Sequence, residues 1–257
     1  MLRLITIPIS HYCEKARWAL DRSGIAYREE PHIQGVHCLA ALRAGGGRTV
    51  PVLVTPERVV ADSSEILAWV DERTEEADRL FPAEPEQRAR VQELCTRLNL
   101  GLGPTGRRLI YAHMLRQREL MLRYNNQGVP AWEDLLMRRA RPAITGFVVL
   151  ALGIRSGREA LDEAAVWREL DFVASLLADG RPYLLGERFG AADLTFAALA
   201  APVILPPVYG VPLPQPELLA PDTAALVQRA REHPAGRYAL DLIAEHRLRR
   251  VADRAGA

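Results

Sequence analysis

The segment Ile9-Ser10-His11-Tyr12-Cys13-Glu14-Lys15-Ala16-Arg17-Trp18-Ala19-Leu20 is where the reading of the fold begins. It follows Leu2 to Ile7, an alternating β-branched run that reads as a strand, and it carries Tyr12, Ala16, Ala19 and Leu20 on one helical face. Ser23-Gly24 stops the helix, which is predicted over His11–Arg22. Ser10, at the strand-to-helix turn, reads two ways. Its oxygen caps the helix by accepting a free backbone N–H, or its hydroxyl donates to an anion drawn to the positive helix end, such as a thiolate. Cys13, in the first turn, is either small apolar filler or a thiol whose pKa is lowered by the helix start, Lys15 and Arg17. Position 10 holds no second cysteine, so a C-x-x-C redox couple is excluded.

Downstream, Ile25 to Glu30 reads as a second strand and Cys38 to Arg43 as a short helix ended by a flexible Gly45-Gly46-Gly47. Val50 to Val54 and Val59 to Ala61 are short strands joined around Pro56, and Asp62 to Thr74 is a helix with Ile66, Leu67 and Val70 inward. A strand–helix–strand unit requires a parallel pair, and the tight turn at Pro56 an antiparallel one. The expectation is a mixed four-stranded sheet in an α/β domain over residues 1–81, with Pro82 to Pro85 as linker. Residues 86–257 carry helical periodicity almost throughout, predicting an all-α domain. Its helices are expected around Val91 to Leu102, interrupted at Gly101, Gly103 and Pro104, and then over 107–123, 131–154, 159–179, 191–203 and 223–246. The Pro-rich stretch from Pro206 to Pro221 is expected as an extended loop.

Composition narrows the function classes. The 257 residues are 49% hydrophobic and 25% charged, a globular balance that excludes disorder. Lys plus Arg (33) nearly cancels Asp plus Glu (32), which argues against a nucleic-acid partner. Cys13, Cys38 and Cys95 form no disulfide framework, and the N-terminus shows no secretory pattern; both point to a cytoplasmic protein. The apolar run Ala143 to Ile154 is too short to span a bilayer and reads as a buried helix, so no membrane partner is expected. Lys15 is the only lysine. His32, His37 and Cys38 lack metal-ligand spacing, so no metal is expected, and no phosphate loop or nucleophile elbow is present.

Two further motifs carry chemistry. In Thr49-Val50-Pro51-Val52-Leu53 the proline removes a ladder donor and keeps Val50 extended. A trans bond there makes an ordinary strand start; a cis bond turns the Val50 N–H and C=O outward, toward a peptide-like ligand. In Ala61-Asp62-Ser63-Ser64-Glu65 the Asp62–Glu65 spacing is that of a capping box. The other reading gives Asp62 an α-ammonium group and Ser63, with the first-turn N–H groups, a carboxylate.

In this order and spacing the Ser10 helix start, T-V-P-V-L, D-S-S-E-I-L and Pro182-Tyr183-Leu184-Leu185-Gly186-Glu187-Arg188-Phe189-Gly190-Ala191-Ala192-Asp193-Leu194 resemble the soluble glutathione S-transferases, with S-x-x-x-x-[KR]-x-R-x-A-L aligning without a gap to the serine types. Gly190 departs from the family's Ser or Thr cap while Asp193 is kept, so Asp193 reads as structural. The resemblance implies a thioredoxin-like N-terminal domain followed by a helical domain with a hydrophobic co-substrate site. It implies that Ser10 activates the glutathione sulfur, that Val50, before a cis Pro51, pairs with the cysteinyl part, and that Asp62 and Ser63 hold the γ-glutamyl end. Thr49, His37 and Arg43 fall near the glycyl end, and Arg17 supports the helix start or a nearby carboxylate. Tyr111, His113 and Met114 either line the electrophile site or are packing. Cys13 has a rival claim, because some bacterial members work through a cysteine near this helix start. The expected activity is glutathione transfer to a small hydrophobic electrophile in detoxification, with glutathione as co-substrate, no separate cofactor, and a homodimeric assembly. The alternatives are a Cys13-dependent thiol transferase or deglutathionylating enzyme, and a non-catalytic binding protein of the same fold.

Overall fold

The structure, a computed structural model, describes residues 1–155 and 157–247. Four short strands, β1 (Leu2–Thr6), β2 (Tyr27–Pro31), β3 (Val52–Val54) and β4 (Val59–Val60), form one sheet in the order β2-β1-β3-β4. β1 and β2 are parallel, while β1–β3 and β3–β4 are antiparallel, as the connection lengths require. The pleat sends alternate residues to opposite faces. Leu4, Leu53 and Val60 pack on the side of α1 (His11–Arg22) and α3 (Ser63–Asp71), and Ile5 and Val52 on the side of α2 (Val36–Arg43). Gly46 after α2 is buried, and a Cβ there would lie 2.6 Å from Val52 Cγ1, so its smallness lets the chain seat against the sheet. The glycine run is therefore a packing device at its centre.

The chain then becomes helical: α4 (Pro85–Leu100), α5 (Leu102–Met114), α6 (Arg118–Asn125), α7 (Ala131–Arg139), α8 (Arg141–Leu152), α9 (Glu159–Leu176), α10 (Ala191–Ile204), α11 (Pro221–Glu232) and α12 (Pro234–Leu242), with a π turn over Ile243–Arg247. Three long predicted helices are each two. α8 and α12 each carry a proline in the first turn, Pro142 and Pro234, where its missing N–H costs no intrahelical bond as it would inside a continuous helix, and His233 before Pro234 is extended. The third break falls between Met114 and Arg118. The expected extended segment after Pro206 contains a short 3-10 turn, Pro216–Leu218.

The run Ala143 to Ile154 is helical but not buried, contrary to expectation. In α8 only Val148 is buried, and Leu150 is 83% exposed. Phe147, Val148, Ala151 and Leu152 instead line a cavity, described below.

α10 is the packing centre, buried along nearly its whole length and lying against α1, α4, α5 and α12. Asp193 ties its start: Oδ2 accepts from Gly190 N–H (2.8 Å), and Oδ1 from Leu184 N–H (2.9 Å) and the Tyr238 hydroxyl (2.6 Å). Asp71, at the end of α3, accepts from the Leu80 and Phe81 N–H groups, and Leu80 C=O accepts from Ala191 N–H (2.9 Å), so the connection between the halves is pinned from both sides.

Beneath the β1–α1 turn lies a buried ionic cluster. Arg17 donates to Glu14 (3.2 Å), to Glu29 (2.8 Å) and to the carbonyls of Ile7 and Pro8. Arg247, which follows Glu14 by 233 positions, donates to Glu14 Oε1 (2.7 Å) and Asp21 Oδ2 (2.6 Å). Gly210 N–H completes Glu14 Oε2 at 3.0 Å. Burial works against the Arg17 charge, but Glu29 and Glu14 outweigh it and hold its pKa above the ordinary value. Removing one member of a buried pair leaves an uncompensated charge. Arg247→Met is therefore expected to lower unfolding stability by about 3 kcal/mol or more, read from the urea midpoint at constant slope. A change under about 1 kcal/mol would show that the cluster is solvated and the C-terminal anchor dispensable.

Candidate functional site

A cavity of about 650 Å³ lies where the loop ends of the α/β half meet α5, α8 and the Pro-rich segment. Ile7, Ile9, Ser10 and His11 line it from the β1–α1 turn, and Thr49 and Arg48 from the loop before β3. The helical half supplies Arg107, Ile110, Tyr111 and Met114 from α5 and Phe147, Val148, Ala151 and Leu152 from α8. Leu205, Tyr209, Leu213 and Pro214 complete the wall, which assigns the Pro-rich segment a place at this site. An apolar pocket with a few convergent polar groups is the ordinary form of a small-molecule site.

Ser10 is the N-cap of α1, in extended conformation, and its Oγ accepts from Cys13 N–H at 3.4 Å. The capping reading is thus realised, and that bond uses a lone pair of the hydroxyl oxygen rather than its proton. Cys13 itself is fully buried and is not among the residues that line the cavity. Burial pushes its thiol up to about 11, against the opposing pull of Arg17 and Ser10. Helix start and basic neighbours are both present, but desolvation outweighs them.

The Val50–Pro51 bond is cis. Val50 lies outside the sheet, whose β3 begins at Val52. Asp62 is exposed and caps α3, Oδ1 accepting from Ser64 N–H at 2.7 Å, while Ser63 is buried in the first turn. Of the sequence candidates, Ser10, Thr49, His37, Tyr111 and Met114 share the cavity wall; Val50, Pro51, Asp62, Ser63, Arg17 and Arg43 lie off it. His113 faces elsewhere, toward Thr223 Oγ1 (3.2 Å) and Asp222 (3.4 Å). His32 bonds Glu133 at 2.7 Å instead of joining His37 and Cys38.

Several partnerships near the site escaped the sequence reading. Lys15 is buried, its Nζ donating to Ser64 Oγ (2.9 Å) and Asn99 Oδ1 (3.3 Å), and burial pulls its pKa down to about 8. Tyr12 OH donates to Asn99 C=O (2.8 Å), and a Cβ on Gly103 would lie 2.2 Å from that hydroxyl. The glycine that interrupts the predicted helix is what lets α1 approach α5. Gln34 and Asn125 pair through both amides, and Gln34 also donates to the Tyr111 hydroxyl at 3.0 Å. None of these partners is within reach of a local sequence signal.

Comparisons with known proteins agree with this architecture. Residues 4–78 match the family model described as glutathione S-transferase, N-terminal domain. A Pseudomonas putida protein named glutathione S-transferase is 27% identical over 197 residues, which is 76% of this chain and 72% of the relative. A glutathione transferase structure from Populus trichocarpa superimposes with a TM-score of 0.65 at 15% identity, covering 100% of both chains. A glutathione S-transferase from Xanthobacter autotrophicus Py2 gives 0.62 at 19% identity over 95% of this chain and 93% of that one. One from Methylobacillus flagellatus KT, determined with GSH bound, gives 0.62 at 15% identity over 95% of each chain. The resemblance to the soluble glutathione S-transferases therefore holds, in sequence for residues 4–78 and in fold for the described chain. No helix among the described residues is long and apolar enough to cross a membrane.

His11 carries a pH signature. Burial, reinforced by Arg107, lowers its pKa from 6.5 to about 3, so the folded ring is neutral. A histidine whose folded pKa lies below its unfolded value contributes full stability above about pH 6.5. That stability is lost as pH falls toward 3, because the unfolded chain then binds the extra proton. Wild type is expected to lose about 1.4 kcal/mol per pH unit through this window from His11 alone. In His11→Phe that part of the slope should be missing from denaturation midpoints taken between pH 6.5 and 4. Equal slopes would mean that the ring is protonated in the folded state.

Proposed function

We propose that this protein is a glutathione transferase-like enzyme in which the Ser10 hydroxyl stabilises the glutathione thiolate for attack on an electrophile held by α5, α8 and the Pro-rich segment. The observation that carries the reading is the position of Ser10. It sits at the N-terminus of α1, it lines the cavity, and its O–H is not consumed by the cap bond it accepts from Cys13 N–H. Support comes also from the cis Val50–Pro51 bond beside Thr49, from the Asp62–Ser63 helix start, and from neighbours of the same fold determined with glutathione bound.

Lowering a thiol from about 8.5 to about 6.5 requires about 2.7 kcal/mol of differential stabilisation. One hydrogen bond to a charged sulfur supplies about 1.5–3 kcal/mol, and a helix N-terminus about 0.3–1 kcal/mol. Two modest interactions therefore suffice. Arg17, bonded to the Ile7 and Pro8 carbonyls, positions the turn that presents Ser10 and touches no reacting atom. Val50 would pair with the cysteinyl backbone of glutathione, and Asp62 and Ser63 would take its γ-glutamyl end. His11 and His37 are both shifted toward neutrality, chiefly by burial, so neither competes as a cation for the thiolate.

Cys13 is the less favourable nucleophile. Its sulfur is buried off the cavity, and a thiol near 11 is almost wholly protonated at neutral pH. Titrating the thiolate absorbance of bound glutathione tests the two residues side by side. Ser10→Ala should raise the bound thiol's pKa by about 1–2 units, and Cys13→Ala should leave it within about 0.3 unit of wild type. Loss of transfer in Cys13→Ala with an unshifted thiolate in Ser10→Ala would reverse the assignment.

A further inference from the structure

Among the described residues the wall of the cavity contains no aspartate or glutamate, yet it holds two arginines. Arg48 is exposed at the rim, beside Cys38 and Thr49. Arg107 lies further in, half-buried on α5, with its Nε shielded from solvent and without a hydrogen-bond acceptor. Among the described residues it makes no ion pair; the group facing it is the ring of Tyr12, 5.8 Å from its guanidinium carbon. Its neighbour Arg108 shows the contrast, forking onto Asp162 at 2.7 and 3.1 Å. Arg17, Arg247 and Arg231, also drawn into the protein, are each bonded to carboxylates or carbonyls. Arg107 thus brings an always-charged fork beside apolar side chains, with its Nε unpaired and no carboxylate partner among the described residues. The adjacent His11 Nε2 is likewise buried without a partner.

A shielded guanidinium N–H without an acceptor costs stability until something pairs with it. Nothing on α5 demands an arginine for packing, since Ile110, Met114 and Phe147 already supply the apolar wall. We infer that Arg107 is a specificity-determining residue that receives the anionic end of the electrophile, so that the substrate class is a compound with an apolar or aromatic body, a leaving group, and a carboxylate or similar planar anion. The inference rests on the transferase reading above for its chemistry. The thiolate sulfur attacks the electrophilic carbon and forms a C–S bond, the carbon–halogen bond breaks with its electron pair leaving as halide, and the thiol proton passes to solvent. Arg107 takes no part in that exchange. It orients the substrate by bidentate hydrogen bonds to the anion, while Phe147, Val148 and Leu205 cover the body.

The test compares 4-(chloromethyl)benzoate with its methyl ester, which share the reacting carbon and differ in the charge at the far end. Wild type is expected to favour the carboxylate by about tenfold or more in kcat/KM, expressed in KM, as one charge-assisted bond implies. Arg107→Met should collapse that ratio to within about threefold, and Arg107→Lys should restore part of it, since Lys keeps the charge without the fork. A wild-type ratio near one, or a preference that survives in Arg107→Met, overturns the inference. So does an equal loss on both substrates with a raised thiolate pKa, which would make Arg107 a partner of the sulfur. Binding of unreactive 4-methylbenzoate, followed by calorimetry, separates this inference from the transferase reading. If neither electrophile turns over but 4-methylbenzoate binds wild type and not Arg107→Met, the transferase reading fails and the anion site stands. If both electrophiles turn over equally and 4-methylbenzoate does not bind, the anion site fails and the transferase reading stands.

Discussion

Glu14 is the carboxylate on which the rest of the arrangement depends. It sits in the first turn of α1, buried, and accepts from Arg17, Arg247 and the Gly210 N–H. Through Arg17 it governs the Ile7 and Pro8 carbonyls, and hence the turn that presents Ser10. Through Arg247 and Gly210 it draws the end of the described chain and the Pro-rich segment onto the same helix. Two arginines facing Glu14, Asp21 and Glu29 keep the cluster close to neutral, which is the condition for burying charge at tolerable cost. A Cβ on Gly210 would lie 2.3 Å from Glu14 Oε2, so the loop can close on the cluster only where it has no side chain.

The two halves contribute different physics to the cavity. The α/β half brings a helix start and the Ser10 hydroxyl, together with the side chains of Arg48 and Thr49. The helical half brings aliphatic and aromatic side chains and one unmatched guanidinium. Arg231 secures the far wall by donating to the Ile204 and Leu205 carbonyls at the end of α10, where Leu205 takes a positive φ of 39°. A residue in that region is held by its surroundings, and here the holder is a single guanidinium from α11. The exposed apolar face of α8 belongs to the same design, since Phe147 and Leu152 are needed where a cavity opens and cannot also be interior packing.

Much of the first half was legible because its signals are local. The β1 alternation, the Ser10 cap, the Ser23-Gly24 stop, Val-Pro at the head of β3 and Asp62 before α3 all act within one or two turns of chain, where spacing and side-chain chemistry carry the information. In the second half the same method overran. Helical period continued across residues 139–141 and 232–234, and only the prolines at 142 and 234 marked that each segment is two helices. Periodicity reports which face is apolar and not what covers it. The run from Ala143 to Ile154 therefore read as interior when its partner is a cavity.

What the amino-acid sequence determined by itself was the order of elements, the mixed sheet, the helix starts at Ser10 and Asp62, and the resemblance to the glutathione S-transferases. These follow from rules that operate over a few residues. Tertiary structure alone decided that Cys13 is desolvated and Ser10 is not, that Lys15 pairs with Ser64 and Asn99, and that Arg247 closes on Glu14. It also decided that Arg107 is left without a carboxylate while Arg108, one position on, has Asp162. The reason is physical. Burial and charge pairing depend on which distant segments arrive at a point in space, and a one-residue step along a helix turns a side chain by about 100° from one environment to another.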